Sequence, residues 1–335
     1  MSFKYLTNEK LDIARDNYLK KLKSQGFKPQ KETIKVFDSL GRYTTKAIYA
    51  SINAPHYPSS AMDGIATNAN LTFNASETNP VILTKDQFVM VDTGDALPDD
   101  KDAVIMIEDV IFDDGGNAKL FKPATPWQYI RQVGEDICAH EMILPSNTRI
   151  TPAAIGSMCA GGVLEVEVYT KPTIGIIPTG DEIIPLTNNP KQGEIIEFNS
   201  SIFKSMLIEE DSNVICYDIV KDKLDLIVQA IDKACKECDI VIINAGSSAG
   251  RDDYSSEAIS TLGNVLYHGI AIKPGKPTVL GYKDQTPIIG IPGYPVSGII
   301  VVEELLKPVI NMWYGRSSIK EKVEATLSRP VMSSL

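Results

Sequence analysis

Histidine and tryptophan are scarce in this 335-residue chain, which holds three of the first, two of the second and an odd number of cysteines, five. The histidines stand apart as His56, His140 and His268, so no histidine-based metal cluster is written in the sequence. Cys138, Cys159, Cys216, Cys235 and Cys238 lie in apolar or helical surroundings and read as reduced thiols, not as a disulfide framework. Cys235-Lys-Glu-Cys238 has metal-ligand spacing, but no second pair follows it, and it reads as the end of an amphipathic helix. No stretch approaches the ~20 apolar residues of a membrane span, and the opening MSFKYLTNEK lacks the apolar core of a signal peptide. These absences predict a soluble, cytoplasmic protein. Positive charge is also short, with 33 basic against 43 acidic side chains and a net charge of −10. That is the wrong overall sign for gripping nucleic acid by its phosphates, and an anionic ligand would need a local basic pocket or a divalent ion. A Walker phosphate loop, a dinucleotide glycine fingerprint and a serine-nucleophile elbow are all missing.

The hydrophobic pattern divides the chain. Leu11, Ala14, Tyr18 and Leu22 recur at helical spacing between Thr7, a potential N-cap, and Gly26, a stop. From about 33 to 140, short β-like runs (Thr33 to Phe37, Phe88 to Asp92, Ala103 to Ile107) alternate with Gly, Pro, Asp and Asn turns, the pattern of a small β-rich unit. Pro152 to Gly161 reads as a short helix and Val163 to Val168 as an alternating strand before Lys171-Pro172. Beyond that point strands and helices alternate: Thr173 to Ile177 then Asn199 to Glu210, Ile215 to Val220 then Lys223 to Lys236, Ile240 to Asn244 then Tyr254 to Leu262, Ile288 to Ile291 then Val296 to Ile310. Near-continuous apolar strands between amphipathic helices predict an α/β fold, a mostly parallel sheet covered on both faces. Val323 to Leu327 reads as one further strand.

In such a sheet, ligands collect at the carboxyl ends of the strands, where helix starts favour anions. Three segments end strands there: Thr179-Gly180-Asp181-Glu182; Gly246-Ser247-Ser248-Ala249-Gly250 with Asp252-Asp253-Tyr254; and Pro292-Gly293-Tyr294-Pro295-Val296-Ser297. Glycine there admits close backbone approach, although such turns are also common for steric reasons alone. Ile272-Lys273-Pro274-Gly275-Lys276-Pro277 supplies two lysines across a tight turn, whose charges call for an anion or for carboxylates. Asp181, Glu182, Asp222 and Asp253 could neutralise them, or hold a hard cation such as Mg²⁺. In the β-rich half, the loops around Asp63 and Thr93 read from physics alone as turns or caps.

Taken in order, the segments SAMDG (60–64), TGDALP (93–98), DAV (102–104), GED (134–136), TGDE (179–182), AGSSAGRDDY (245–254), IKPGKP (272–277) and PGYPVS (292–297) resemble the signature of the molybdopterin molybdotransferases, the bacterial MoeA and gephyrin E-domain family. The resemblance covers roughly residues 1 to 330. It departs at Tyr294, where the family commonly has asparagine, at Ile65, and in the run Asn244 to Gly250, where the family has a glycine-rich stretch. The family's C-terminal β-rich domain is essentially missing after about residue 315.

The resemblance implies a linker domain of residues 1–32 with 141–171, an inserted β-rich domain at 33–140, an α/β molybdopterin-binding-like domain at 172–312, and a remnant of the terminal domain at 313–335. It further implies a homodimer whose active site is shared between subunits, with Asp63 and Thr93 reaching the neighbour's pocket. Adenylylated molybdopterin would lie over Thr179, Gly180, Asp181, Gly246, Ser247, Ser248, Gly250, Pro292, Gly293 and Ser297. Lys273 and Lys276 would hold molybdate or phosphate oxygens, with tungstate a possible substitute for molybdate. Glu182, Asp222 and Asp253 would hold Mg²⁺ as molybdate enters the dithiolene and AMP leaves. A molybdopterin adenylyltransferase and acceptor apoenzymes are the expected partners. Two other readings stay open: a cofactor-binding scaffold or carrier without turnover, and a molybdopterin adenylyltransferase.

Overall fold

A computed structural model describes residues 8–245, 254–317, 324–326 and 328–330. Contacts gather the chain into two compact units, one from Glu32 to Val168 and the other made of the chain up to Lys31 together with the chain from Tyr169.

The second unit is built on six strands: β1 (Thr173–Pro178), β2 (Asn213–Cys216), β3 (Ile240–Ala245), β4 (Asn264–His268), β5 (Val279–Lys283) and β6 (Thr286–Pro292), in the order β2-β1-β3-β6-β5-β4. The first four in that order run parallel, with Gly175 opposite Val241 and Val241 opposite Ile288, and the last two pair antiparallel. Isoleucine and valine run through the central strands because both faces are covered, so side chains of either parity are buried. On one face, Ile227, Ile231 and Ala234 of one helix (Leu224–Glu237) and Ala258 and Ile259 of another (Ser255–Leu262) pack on Ile177, Val241, Ile243 and Ile288. On the other, Gly298 in the helix Pro295–Val301 lies against Phe203 of the helix Asn199–Glu209 and Ile291 of β6.

The N-terminal helix, Leu11–Ser24, belongs to this unit: buried Ala14, Tyr18 and Leu22 share one face, and the Tyr18 hydroxyl donates to the Gly281 carbonyl at 2.7 Å. The expected cap, Thr7, lies outside the described residues. The helix begins only at Leu11 because Glu9–Lys10 form a short parallel ladder with Ile270–Ala271. The expected single helix from Val296 to Ile310 is interrupted by a π-turn at Val302–Leu306 before helix resumes at Lys307–Trp313. Pro308 explains this, since it has no N–H for the normal helical bond four residues back and forces the register to widen. β4 and β5 were not among the expected strands. Val323 and Leu327 lie outside the described residues, and the residues between them that are described carry no strand.

In the other unit, the strand Gly64–Thr67 lies between Phe88–Val91 and Ala103–Met106, and Ala118–Leu120 lies between Val81–Leu83 and Val110–Phe112. Ile65, Leu83, Ile105 and Leu120 form its main core. A separate cluster of Val36, Ile48, Ile150, Met158, Val166 and Val168 surrounds the helix Pro152–Ala160, whose N-terminus is capped by the Thr151 hydroxyl accepting from Ala154 N–H. Residues 143–168 thus find their apolar partners at 34–48, while residues 11–24 find theirs on the α/β sheet.

Candidate functional site

A cleft of about 390 Å³ opens at the carboxyl ends of β1, β3 and β6. Thr179 N–H donates to the Asn244 carbonyl at 2.9 Å, tying the end of β1 to that of β3. The chain then turns at Gly180, whose φ of +150° suits glycine and whose N–H donates to Val220 carbonyl at 3.1 Å. A Cβ at 180 would stand 2.5 Å from Ile183 Cγ1, so a larger residue would displace one cleft wall. Ile183–Ile184 run parallel to Ile195–Ile196, an arrangement that lines the cleft with Glu182, Ile183, Ile195 and Ile196. Glu197 also lines it and accepts from Ser200 N–H at 2.9 Å, capping the helix that starts at Asn199. The floor includes Asn199 and Asn244. Asn199 Nδ2 donates to the Gly293 carbonyl at 2.7 Å, and Asn199 Oδ1, although buried, has no hydrogen-bond partner among the described residues. Phe198 and Tyr294 stand at the cleft with much of their rings in solvent.

Of the residues expected at the site, Thr179, Glu182 and Gly293 line this cleft. Gly180 turns the chain into it, and Pro292 closes β6 beside it. Asp181 faces solvent and holds the neighbouring loop: its carbonyl accepts from Lys221 Nζ at 2.8 Å and its Oδ1 from Asp222 N–H at 3.4 Å. Ser297 is buried in the first turns of the last sheet-covering helix. Lys273 and Lys276 are exposed on a turn pinned by Ile270 N–H to Lys276 carbonyl, 2.8 Å, and by Thr278 Oγ1 to Gly275 carbonyl, 2.7 Å; they are not among the residues that line the cleft. Gly246, Ser247, Ser248, Gly250 and Asp253 lie outside the described residues. No group of three His, Cys, Asp or Glu side chains arranged to hold a metal occurs among the described residues.

The β-rich unit does bring its two expected residues together. Asp63 Oδ1 accepts from both the N–H and the hydroxyl of Thr93, each at 2.7 Å, which holds the exposed carboxyl below its ordinary pKa. The loops are knitted by Gly94 N–H to Ser60 carbonyl, 2.9 Å, and Ser60 N–H to Asp95 carbonyl, 2.9 Å. Gly64 is required beside them, since a Cβ there would fall 1.9 Å from the Ile105 carbonyl oxygen.

Sequence reasoning missed Ile183, Ile195, Ile196, Phe198 and Asn199 as cleft residues. The available signal was the pair of Ile-Ile runs either side of a polar loop, followed three residues later by an asparagine that opens a helix.

Comparison with known proteins agrees along the length of the chain. Residues 9–162 match the model of the MoeA N-terminal region (domain I and II), and residues 175–312 match a probable molybdopterin binding domain. A putative molybdopterin biosynthesis protein of Methanocaldococcus jannaschii is 32% identical over 292 residues, 81% of this chain and 71% of the relative. The molybdopterin molybdenumtransferase of Haemophilus influenzae is 29% identical over 93% of this chain and 79% of its own. The crystal structure of a MoeA molybdopterin biosynthesis protein from Pyrococcus horikosii superposes with a TM-score of 0.79 at 30% identity, covering 92% of this chain and 81% of that one. With both units matched in order, the chain belongs to the MoeA family of molybdenum-cofactor biosynthesis proteins.

Proposed function

We propose that this chain is a molybdopterin molybdenumtransferase that inserts molybdate into the dithiolene of adenylylated molybdopterin, with cleavage of the adenylate and release of AMP. The observation that carries the reading is the cleft at the strand ends, walled by isoleucines and floored by polar groups, in a chain similar over most of its length to named molybdenumtransferases.

The substrate and molybdate are both anionic while the chain is acidic, so local positive charge must do the binding. Lys273 and Lys276 supply it and orient the oxyanion. Mg²⁺ commonly takes one or two protein carboxylates, substrate phosphates and water. Glu182, half-exposed in the cleft, is a hard oxygen donor of this kind, and with Asp222 and Asp253 it would make a set of three carboxylates, one more than is common. When bound, the ion would neutralise charge on the phosphoanhydride. Asp63, kept ionised by Thr93, can take a proton that a dithiolene sulfur gives up as it binds molybdenum. In the homodimer proposed here, Asp63 and Thr93 of one copy serve the cleft of the other.

The test supplies purified protein with adenylylated molybdopterin, Mg²⁺ and molybdate, and follows AMP release together with active cofactor. Molybdate-dependent turnover is expected, falling by about 10²–10³ in Asp63→Ala, the usual scale for one preorganised electrostatic contact. Tight binding with no AMP release would overturn the transferase and favour a carrier.

A further inference from the structure

Asn199 is only 7% exposed, yet it lines the cleft. Its amide orientation is fixed by chemistry: Nδ2 lies 2.7 Å from the Gly293 carbonyl, and the reversed amide would set two acceptors at that distance. The atom without a partner among the described residues is therefore Oδ1, a pure acceptor. Buried acceptors are nearly always matched in folded proteins, so an unmatched one on a residue that lines a cleft is suited to a ligand's N–H.

The rim beside it is aromatic. Tyr294 is 73% exposed and Phe198 45% exposed, and both line the same cleft. The single hydrogen bond from Asn199 to Gly293 joins the two segments that carry these rings, since Phe198 precedes Asn199 and Tyr294 follows Gly293. Reading atom and stacking surfaces thus share one backbone frame. An exposed aromatic face binds any flat heterocycle, whereas an acceptor admits only one that presents a donor.

We propose that Asn199, Phe198 and Tyr294 form a seat for a flat, amino-bearing nitrogen heterocycle, with the rings covering its face and Asn199 Oδ1 accepting from its amine. This rests on the reading that the cleft takes an adenylylated pterin, which carries two such rings, the pterin and the adenine. Both present the same chemistry to the seat.

The experiment measures dissociation constants of four probes, AMP, inosine monophosphate, 6-hydroxymethylpterin and the lumazine that carries oxygen in place of its amine, on wild type, Asn199→Ala and Tyr294→Ala. One amino-bearing probe should bind the wild type about tenfold tighter than its oxo counterpart, the scale of one hydrogen bond. Which pair shows the difference identifies the ring. That ratio should fall to near one in Asn199→Ala, whereas Tyr294→Ala should weaken both members of the pair about equally, by roughly 5- to 100-fold. Wild type that separates neither pair, a ratio that survives Asn199→Ala, or Tyr294→Ala that binds as tightly as wild type would each overturn the seat. Tyr294 is exposed, so that variant folds and decides the matter even where Asn199→Ala does not. Molybdate-dependent AMP release by wild type is scored separately. Turnover without discrimination removes the seat and keeps the transferase, and discrimination without turnover does the reverse.

Discussion

Asp63 in the β-rich unit stands in solvent with its charge already matched by two donors of Thr93, whereas Asn199 in the α/β unit is buried with an acceptor unmatched among the described residues. The first arrangement is finished by the chain itself, so its charge is present before any ligand arrives. The second is suited to completion by a bound molecule. A polar residue can therefore be prepared for chemistry either by satisfying it in advance or by burying it and leaving one valence open, and only the second carries selectivity for what binds.

Three measurements would break or sharpen that contrast. The largest effect is expected from Gly64→Ala, because the new methyl would overlap the backbone oxygen of Ile105, which cannot swing aside as a side chain can. A loss of about 3 kcal/mol or more is expected, seen as a melting temperature lower by roughly 10 °C. A variant melting like wild type would show that the loop of Asp63 is not held by this close strand contact. Thr93→Val should have a smaller effect, confined to pH. It removes the hydroxyl bond and leaves the N–H bond, so the Asp63 pKa rises towards its ordinary value. A carboxylate with a depressed pKa works above that pKa and fails as pH falls through it, so the acid limb of turnover should move to higher pH while the neutral plateau holds. An unmoved limb in Thr93→Val would remove the ionisation of Asp63 from the rate. The smallest effect belongs to Asp232, whose carboxyl is held at about 2 by Lys236 and Lys283 and lies in neither site. Its pair with Lys236 reaches into solvent and its pair with Lys283 is half-buried, and such pairs near the surface contribute little. Asp232→Asn should melt slightly below wild type at neutral pH. The deficit should shrink as pH falls below the ordinary carboxyl value and vanish only below about pH 2. A deficit that persists in acid would mean that packing, not charge, is lost.

The parallel strands and their helices are legible because each is a local pattern: Ile240 to Ile243 are apolar without interruption, and Ile227, Ile231 and Ala234 recur at helical spacing. β4 and β5 escape because Asn264–His268 and Val279–Lys283 are joined through the lysine turn, and their pairing is settled by partners distant in sequence. The π-turn is equally hidden, since Val302 to Leu306 is good helix and only Pro308 marks the fault. The Asp63 and Thr93 loops stand out only through the family resemblance, and their hydrogen bonds join residues 30 apart. Asn199 is the least legible of all. A helix-opening asparagine usually caps, and its role as cleft floor follows from the meeting of three strand ends that no local window contains.

The hydroxyl of Tyr18 reaches a carbonyl 263 residues further along the chain. During synthesis, at about 5–20 residues per second, the N-terminal helix is made on the order of tens of seconds before the strand it needs. At 14 residues it has little helical stability alone. The β-rich unit, whose cores draw only on residues 34–168, can close in the interval. The earliest-made helix of this unit thus waits for the strand that receives it, and its apolar stripe of Ala14, Tyr18 and Leu22 stays open to chaperones in the interval.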